Sequence, residues 1–192
     1  MIIRLASALF VVACVTARAS NGDDLAWWKA SSSELEVEGK TLIGSGTNSE
    51  EWSDLIQSGV NPFGQKNKSF RLKIRDKSSG RSTVVPMVPV SFLQISDSSR
   101  FIVVLSKAEP TYGIAVVSRG GEVVFKAFDI CFSNECPVIS HNWMPWFHAV
   151  RVGVSFESTT NGIDCLLRLK EDKDLPESPE LVFDVCKKQA LK

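Results

Sequence analysis

Residues 90–130 read VSFLQISDSSRFIVVLSKAEPTYGIAVVSRGGEVVFKAFDI, and the fold turns on how this stretch is read. Four apolar runs, VSFLQIS, FIVVLS, IAVVS and VVFKAFDI, are separated by DSSR, KAEPTYG and RGGE. Short runs rich in Val, Ile and Phe, bounded by Gly, Pro, Asp and Ser, predict strands joined by turns. None of these runs is long enough for a typical helix, and connections this short join antiparallel neighbours.

The flanks extend the same pattern. In SFRLKIRD, Phe70, Leu72 and Ile74 alternate with Arg71, Lys73 and Arg75, as in a half-buried strand. KSSGR is a turn, and Ser82 to Val85 return beside that strand. Pro86 and Pro89 then confine the next stretch to an edge or to irregular structure. Beyond residue 148, AVRVGVSFE, the turn STTNG and IDCLLRLKE predict another hairpin, and DLPESPE leads to a final strand, LVFDVCKK. Roughly ten short strands of this kind imply a mainly β fold, an antiparallel β-sandwich or barrel-like meander. One short N-terminal helix is predicted over Glu50 to Ser58, with Asn48 as its cap, Gly59 as its stop, and Trp52, Leu55 and Ile56 as its buried face. SNGDDLAWWKASSSE, residues 20–34, reads as an irregular lead-in. LQISDSSRFIVVL with GIAVVSRGGEVVF resembles one blade of a β-propeller, but no second copy recurs at a fixed period, so the stretch is read as a β-meander.

Residues 1–19 read as a signal peptide, with Arg4 in the basic region, Leu5 to Val15 as the apolar run and Ala17-Arg18-Ala19 as the cleavage site. That run is shorter than the about 20 residues a membrane-spanning helix needs. Val11-Val12-Ala13-Cys14 also resembles a lipobox, which would anchor the chain through Cys14. Residues 20–192 then form a single β-rich domain, expected in the periplasm or secreted. Removing Arg4 and Arg18 from the 22 basic residues leaves 20 against 22 acidic ones, a net charge of −2. This balance argues against a nucleic-acid partner, and the charges form no blocks. Four cysteines remain in the domain, Cys131, Cys136, Cys165 and Cys186, an even number that predicts two disulfides in an exported chain. Proximity in sequence favours Cys131–Cys136 and Cys165–Cys186 among the three connectivities. Asn67-Lys68-Ser69 is a sequon for N-glycosylation in a eukaryotic host.

Chemistry-bearing residues gather in CFSNECPVISHNWMPWFH, residues 131–148, which holds both histidines of the chain. Cys131, Cys136, His141 and His148 have the residue types of a zinc site, but C-x4-C-x4-H-x6-H matches no common finger, and no metal is assigned. The C-x4-C pair also lacks the spacing of a thioredoxin-like redox site. His141 or His148 could serve as a general base, with Asp129, Asp164 or Glu135 orienting it. No G-x-S-x-G elbow accompanies them, and Gly44-Ser45-Gly46 is only a flexible turn. A loop stiffened by Pro137 and a disulfide would carry Trp143, Trp146 and Phe147, and rings on a pre-ordered loop bind a partner at small entropic cost. The candidate binding residues are therefore Trp143, Trp146, Phe147, His141 and His148. The rings could equally fold inward and close one end of the sandwich, and Trp27 and Trp28 could pack with them.

FDICFSNEC, Phe128 to Cys136, resembles a segment of the invasion-associated locus B family of bacterial exported proteins, in which an apolar strand runs into a C-x4-C loop. Glu135 stands where that pattern has glycine, and no cysteine follows Trp52. The resemblance implies a periplasmic or surface β-sandwich without known catalysis and carries no active site across. The expectation is a non-enzymatic exported β-domain that binds a protein or an envelope glycan, without a cofactor. The alternatives are an envelope hydrolase using His141 or His148, and an immunity or inhibitor protein against a secreted toxin.

Overall fold

The computed structural model describes residues 27–41, 47–132, 147–158 and 164–191. In chain order the elements are β1 (Trp27–Ser31), β2 (Leu35–Lys40), α1 (Thr47–Gln57), β3 (Arg71–Asp76), β4 (Ser82–Pro86), β5 (Phe92–Ile95) and β6 (Phe101–Ser106). They continue with β7 (Gly113–Ser118), β8 (Val123–Phe128), β9 (Gly153–Ser158), β10 (Asp164–Lys170), β11 (Glu180–Asp184) and β12 (Gln189–Ala190). Among the described residues the protein is mainly β and antiparallel with one helix, as the strand series predicts, and the sheets do not close into a barrel. Three sheets form, ordered β1-β2-β3-β4, β5-β6-β7-β8 and β12-β11-β10-β9. Each is a four-stranded meander, so the topology read from residues 90–130 occurs three times.

The three sheets are layered, and the middle one explains the continuous apolar runs. Successive side chains of a strand point to opposite faces. In β6, Ile102 and Val104 enter the core shared with the first sheet. Phe101, Val103 and Leu105 enter the core shared with the third. In β7, Ala115 and Val117 face the first sheet while Ile114 and Val116 face the third. The first core is completed by Leu35, Val37, Leu72 and Ile74, the second by Leu167, Leu169, Phe183 and Val185. The outer sheets keep charged outer faces, with Lys29 paired to Glu38 at 3.0 Å on the first and Arg168 paired to Glu157 at 2.7 Å on the third.

Helix α1 begins at Thr47, earlier than predicted, so Asn48 lies within its first turn instead of preceding it. Trp52 and Leu55 are buried and Ile56 is half-buried, as expected. Trp52 packs edge-on against Phe70 at 5.3 Å between centroids and donates its indole N–H to the Glu109 carbonyl at 2.8 Å. Gly59, with φ 67°, ends the helix, while Gly59 N–H donates to Ile56 O and Val60 N–H to Leu55 O. These two bonds are those of a Schellman cap, which needs the left-handed residue that glycine supplies.

The irregular lead-in expected over residues 20–34 is corrected within its described part, because β1 runs from Trp27 to Ser31 and pairs with β2. Alternation decides it: Trp28 and Ala30 pack on the core while Trp27 and Lys29 face outward. Pro86 ends β4, which is an edge strand, so its missing N–H costs no ladder bond.

The sequon residue Asn67 is buried at 1% exposure. Its side-chain amide donates to the carbonyls of Pro62 (2.7 Å) and Met87 (2.9 Å) and accepts from the N–H groups of Ser69 and Phe70. The nitrogen a glycan would occupy is fully used inside the fold, so Asn67 serves as a structural clamp. Cys165 on β10 is bonded to Cys186 beyond β11, the expected pairing. Cys131 is also disulfide-bonded, and Cys136 lies outside the described residues.

Candidate functional site

Of the five predicted binding residues, His141, Trp143 and Trp146 lie outside the described residues. Phe147 and His148 are described, and they fall together at one groove. The Cys131 sulfur is held in a disulfide, so it is no thiolate for the zinc quartet considered above.

Two segments build the groove walls. Residues 147–152 lead into β9, where the N–H groups of Arg151 and Val152 both donate to His148 O. Residues 171–179 connect β10 to β11, and their own bonds make them compact. Glu171 N–H donates to Pro179 O across the neck, Asp172 N–H to Ser178 Oγ at 2.8 Å, and Asp174 N–H to Asp172 Oδ1 at 3.0 Å. Lys173 N–H donates to Arg151 O at 2.8 Å and joins the two walls.

Between them lies an open groove of about 700 Å³ that includes Lys107, Phe147, His148, Arg151, Asp172 and Leu175. Phe147 forms its floor. The ring is 4% exposed and meets Phe92 edge-on at 6.4 Å, and Phe92 in turn meets Trp28 at 6.1 Å. An aromatic chain thus ties the groove to β1. The Lys107 ammonium lies 4.5 Å from the Phe147 centroid, a cation–π geometry. Burial pulls the Lys107 pKa below the ordinary lysine value, because a charge withdrawn from water is disfavoured. Arg151 and Asp172 approach to 4.0 Å, while Glu171 and Glu177 add carboxylates and Leu175, Pro176 and Pro179 add apolar surface. Leu175 is 58% exposed and Val150, on the opposite segment, 68%.

These features define what the groove can do. Both charge signs line it, so it does not select a polyanion or a polycation. Phe147 has Lys107 over its ring and little exposed surface, so it offers no open face for a sugar to stack on. The apolar surface of Leu175, Pro176 and Pro179 on one wall matches the apolar anchors of a polypeptide. Among the described residues, no carboxylate lies within hydrogen-bond or ion-pair distance of the His148 imidazole; Glu135 and the side chain of Asp164, two of the acids considered above, lie outside what the structure describes.

Lys107 and the 171–179 wall escape a reading of the sequence. KAEPTYG looks like any strand connection, and Lys107 meets Phe147 only through the packing of separate sheets. The prolines of DLPESPE mark a connection, but not which segment lies opposite.

The chain is thus a layered, antiparallel, disulfide-bonded β-protein with a groove at its third sheet. No protein-family model matches the sequence, and no curated protein matches it. Among the described residues, no helix is long and apolar enough to cross a membrane.

Proposed function

We propose that this chain is an exported, non-enzymatic β-domain of a bacterial periplasm or cell surface that binds a protein partner through the groove between residues 147–152 and 171–179. The observation that carries the reading is the Phe147–Lys107 floor set between two hydrogen-bonded walls, one of which exposes Leu175 into the groove. A pre-ordered wall loses little freedom on binding, and exposed aliphatic residues beside a desolvated charge are the usual ingredients of a protein interface. The Cys165–Cys186 bond agrees with an oxidising compartment, as does the predicted signal peptide. A toxin-inhibiting role would be one form of this partnership and would use the same groove. The protein half of the expected ligand pair is favoured here over the glycan half, because the groove offers no open ring face.

The test is site-specific photocrosslinking in the organism that makes the protein, with the reactive group at position 175 and a control at position 168 on the charged outer face. The reading predicts one protein adduct from position 175 that Arg151→Glu, on the facing wall of the groove, abolishes. Identical adduct patterns from the two positions, or an adduct indifferent to Arg151→Glu, would overturn it.

A further inference from the structure

A second groove, of about 480 Å³, lies on the outer face of the first sheet and is independent of the one above. Its base is one row of cross-strand neighbours. Trp27 on β1 pairs with Lys40 on β2. The register that pairs Gly39 with Leu72 places Arg71 of β3 next in the same row. Lys68, Ser69 and Glu51 complete the lining. Three cations therefore meet one carboxylate, and that carboxylate is engaged: Lys40 Nζ lies 2.9 Å from Glu51 Oε2, with the Phe70 ring at 4.9 Å on another side.

Arg71 is the informative member. Its Nε is buried and has no hydrogen-bond partner among the described residues. Buried donors are almost always matched, so an unmatched one asks for an explanation. With its Nε out of water and unmatched, the Arg71 guanidinium can have its charge balanced only through its other N–H groups. An anion on those groups supplies that balance, and carboxylates and sulfates fit their planar geometry. Beside it, Trp27 is 44% exposed. An indole face left in water next to anion donors suits the apolar face of a sugar ring. The other lining residues are all polar or charged, so the groove has no pocket for the apolar side chains of a peptide.

We infer that this row is a binding site for an acidic saccharide, a sugar chain bearing carboxylate or sulfate groups. The sugar lies on Trp27, and its acid group is held by Arg71 with Lys68.

The test is titration of the purified protein, followed by tryptophan fluorescence and calorimetry, with four probes: a sulfated hexasaccharide, a hexauronate, maltohexaose and a poly-glutamate peptide. One or both acidic saccharides should bind, with affinity falling as salt rises. The stronger of the two identifies the acid group. Trp27→Ala and Arg71→Gln should each weaken binding at least about tenfold, the size expected for loss of a charge-assisted bond or a stacked ring. Lys29→Ala, on the same face, should change it less than about twofold, as for a charge outside the contact. Because Trp27 lies on the outer face of the edge strand β1 and outside the core, its variant should retain the thermal transition. Failure of both acidic saccharides to bind would overturn the inference. So would equal binding by Trp27→Ala, binding of maltohexaose as tight as theirs, or poly-glutamate binding as tightly as they do.

Discussion

The middle and third sheets share one topology, a four-stranded meander, yet they are stabilised differently. The middle sheet is covered on both faces, and Ile102, Val103, Val104 and Leu105 are all fully buried. Among the described residues the third sheet has a core on one face, and its other face carries Arg168 between Glu157 and Glu180. It also has the Cys165–Cys186 bond, which joins β10 to the end of β11. The contrast teaches where function can reside. A sheet buried on both sides offers no surface, so recognition falls to the outer sheets and to the segments at their ends, where both grooves lie.

If the third sheet depends on its covalent tie, removing that tie should have the larger effect. The double substitution Cys165→Ser with Cys186→Ser should lower stability by about 3 kcal/mol, the loop-entropy value for a closure of this length. Urea unfolding of the two proteins side by side measures it, and a loss below about 1 kcal/mol would mean that packing alone holds this sheet.

A smaller effect concerns the first sheet. Asp76, the last residue of β3, accepts hydrogen bonds from the Ser78 hydroxyl at 2.6 Å, from the N–H groups of Ser78 and Ser79, and from Arg119 Nε at 2.9 Å. Arg119 sits in the turn between β7 and β8 and also binds Glu34, so this cluster clasps the first sheet to the middle one. The Ser78 hydroxyl bond, then the Ser79 N–H and Arg119, hold the Asp76 carboxyl well below the usual carboxylate range. A group whose pKa is depressed by folding stabilises the folded state above its unfolded value, about 3.9, and that contribution fades as pH falls below it. The urea midpoint should therefore hold from neutral pH to about pH 5 and fall below about pH 4. Asp76→Asn should flatten part of that fall. The remainder belongs to other carboxylates such as Asp184, lowered chiefly by the Lys187 N–H. An unchanged acid profile in Asp76→Asn would remove the clasp from the comparison.

Much of the architecture is legible in the sequence because it is local. Residues 90–130 show their strands as apolar runs cut by turn residues, and α1 shows its buried face and its glycine stop. The β1–β2 hairpin is less visible, since Trp27 and Trp28 are adjacent and the serines from Ser31 to Ser33 blur the alternation. The three-layer arrangement is not visible at all. A strand such as FIVVLS states that both its faces are apolar but not what covers each one. The grooves suffer the same limit: Lys107 and Phe147, or Lys40 and Arg71, meet only through packing or register between distant segments. The histidine and tryptophan cluster singles out residues 131–148 in the sequence, and its C-terminal end, Phe147 and His148, reaches a groove.

Two neighbouring valines test the layered fold most directly. Val103 faces the third sheet and Val104 the first. In a two-layer sandwich one of any two consecutive strand residues points to water, so its replacement by the isosteric threonine would be nearly neutral. Here Val103→Thr and Val104→Thr should each destabilise the protein by about 1–3 kcal/mol in urea unfolding, because both hydroxyls are placed in a core. A cost at one position with none at the other would contradict the central, doubly covered sheet.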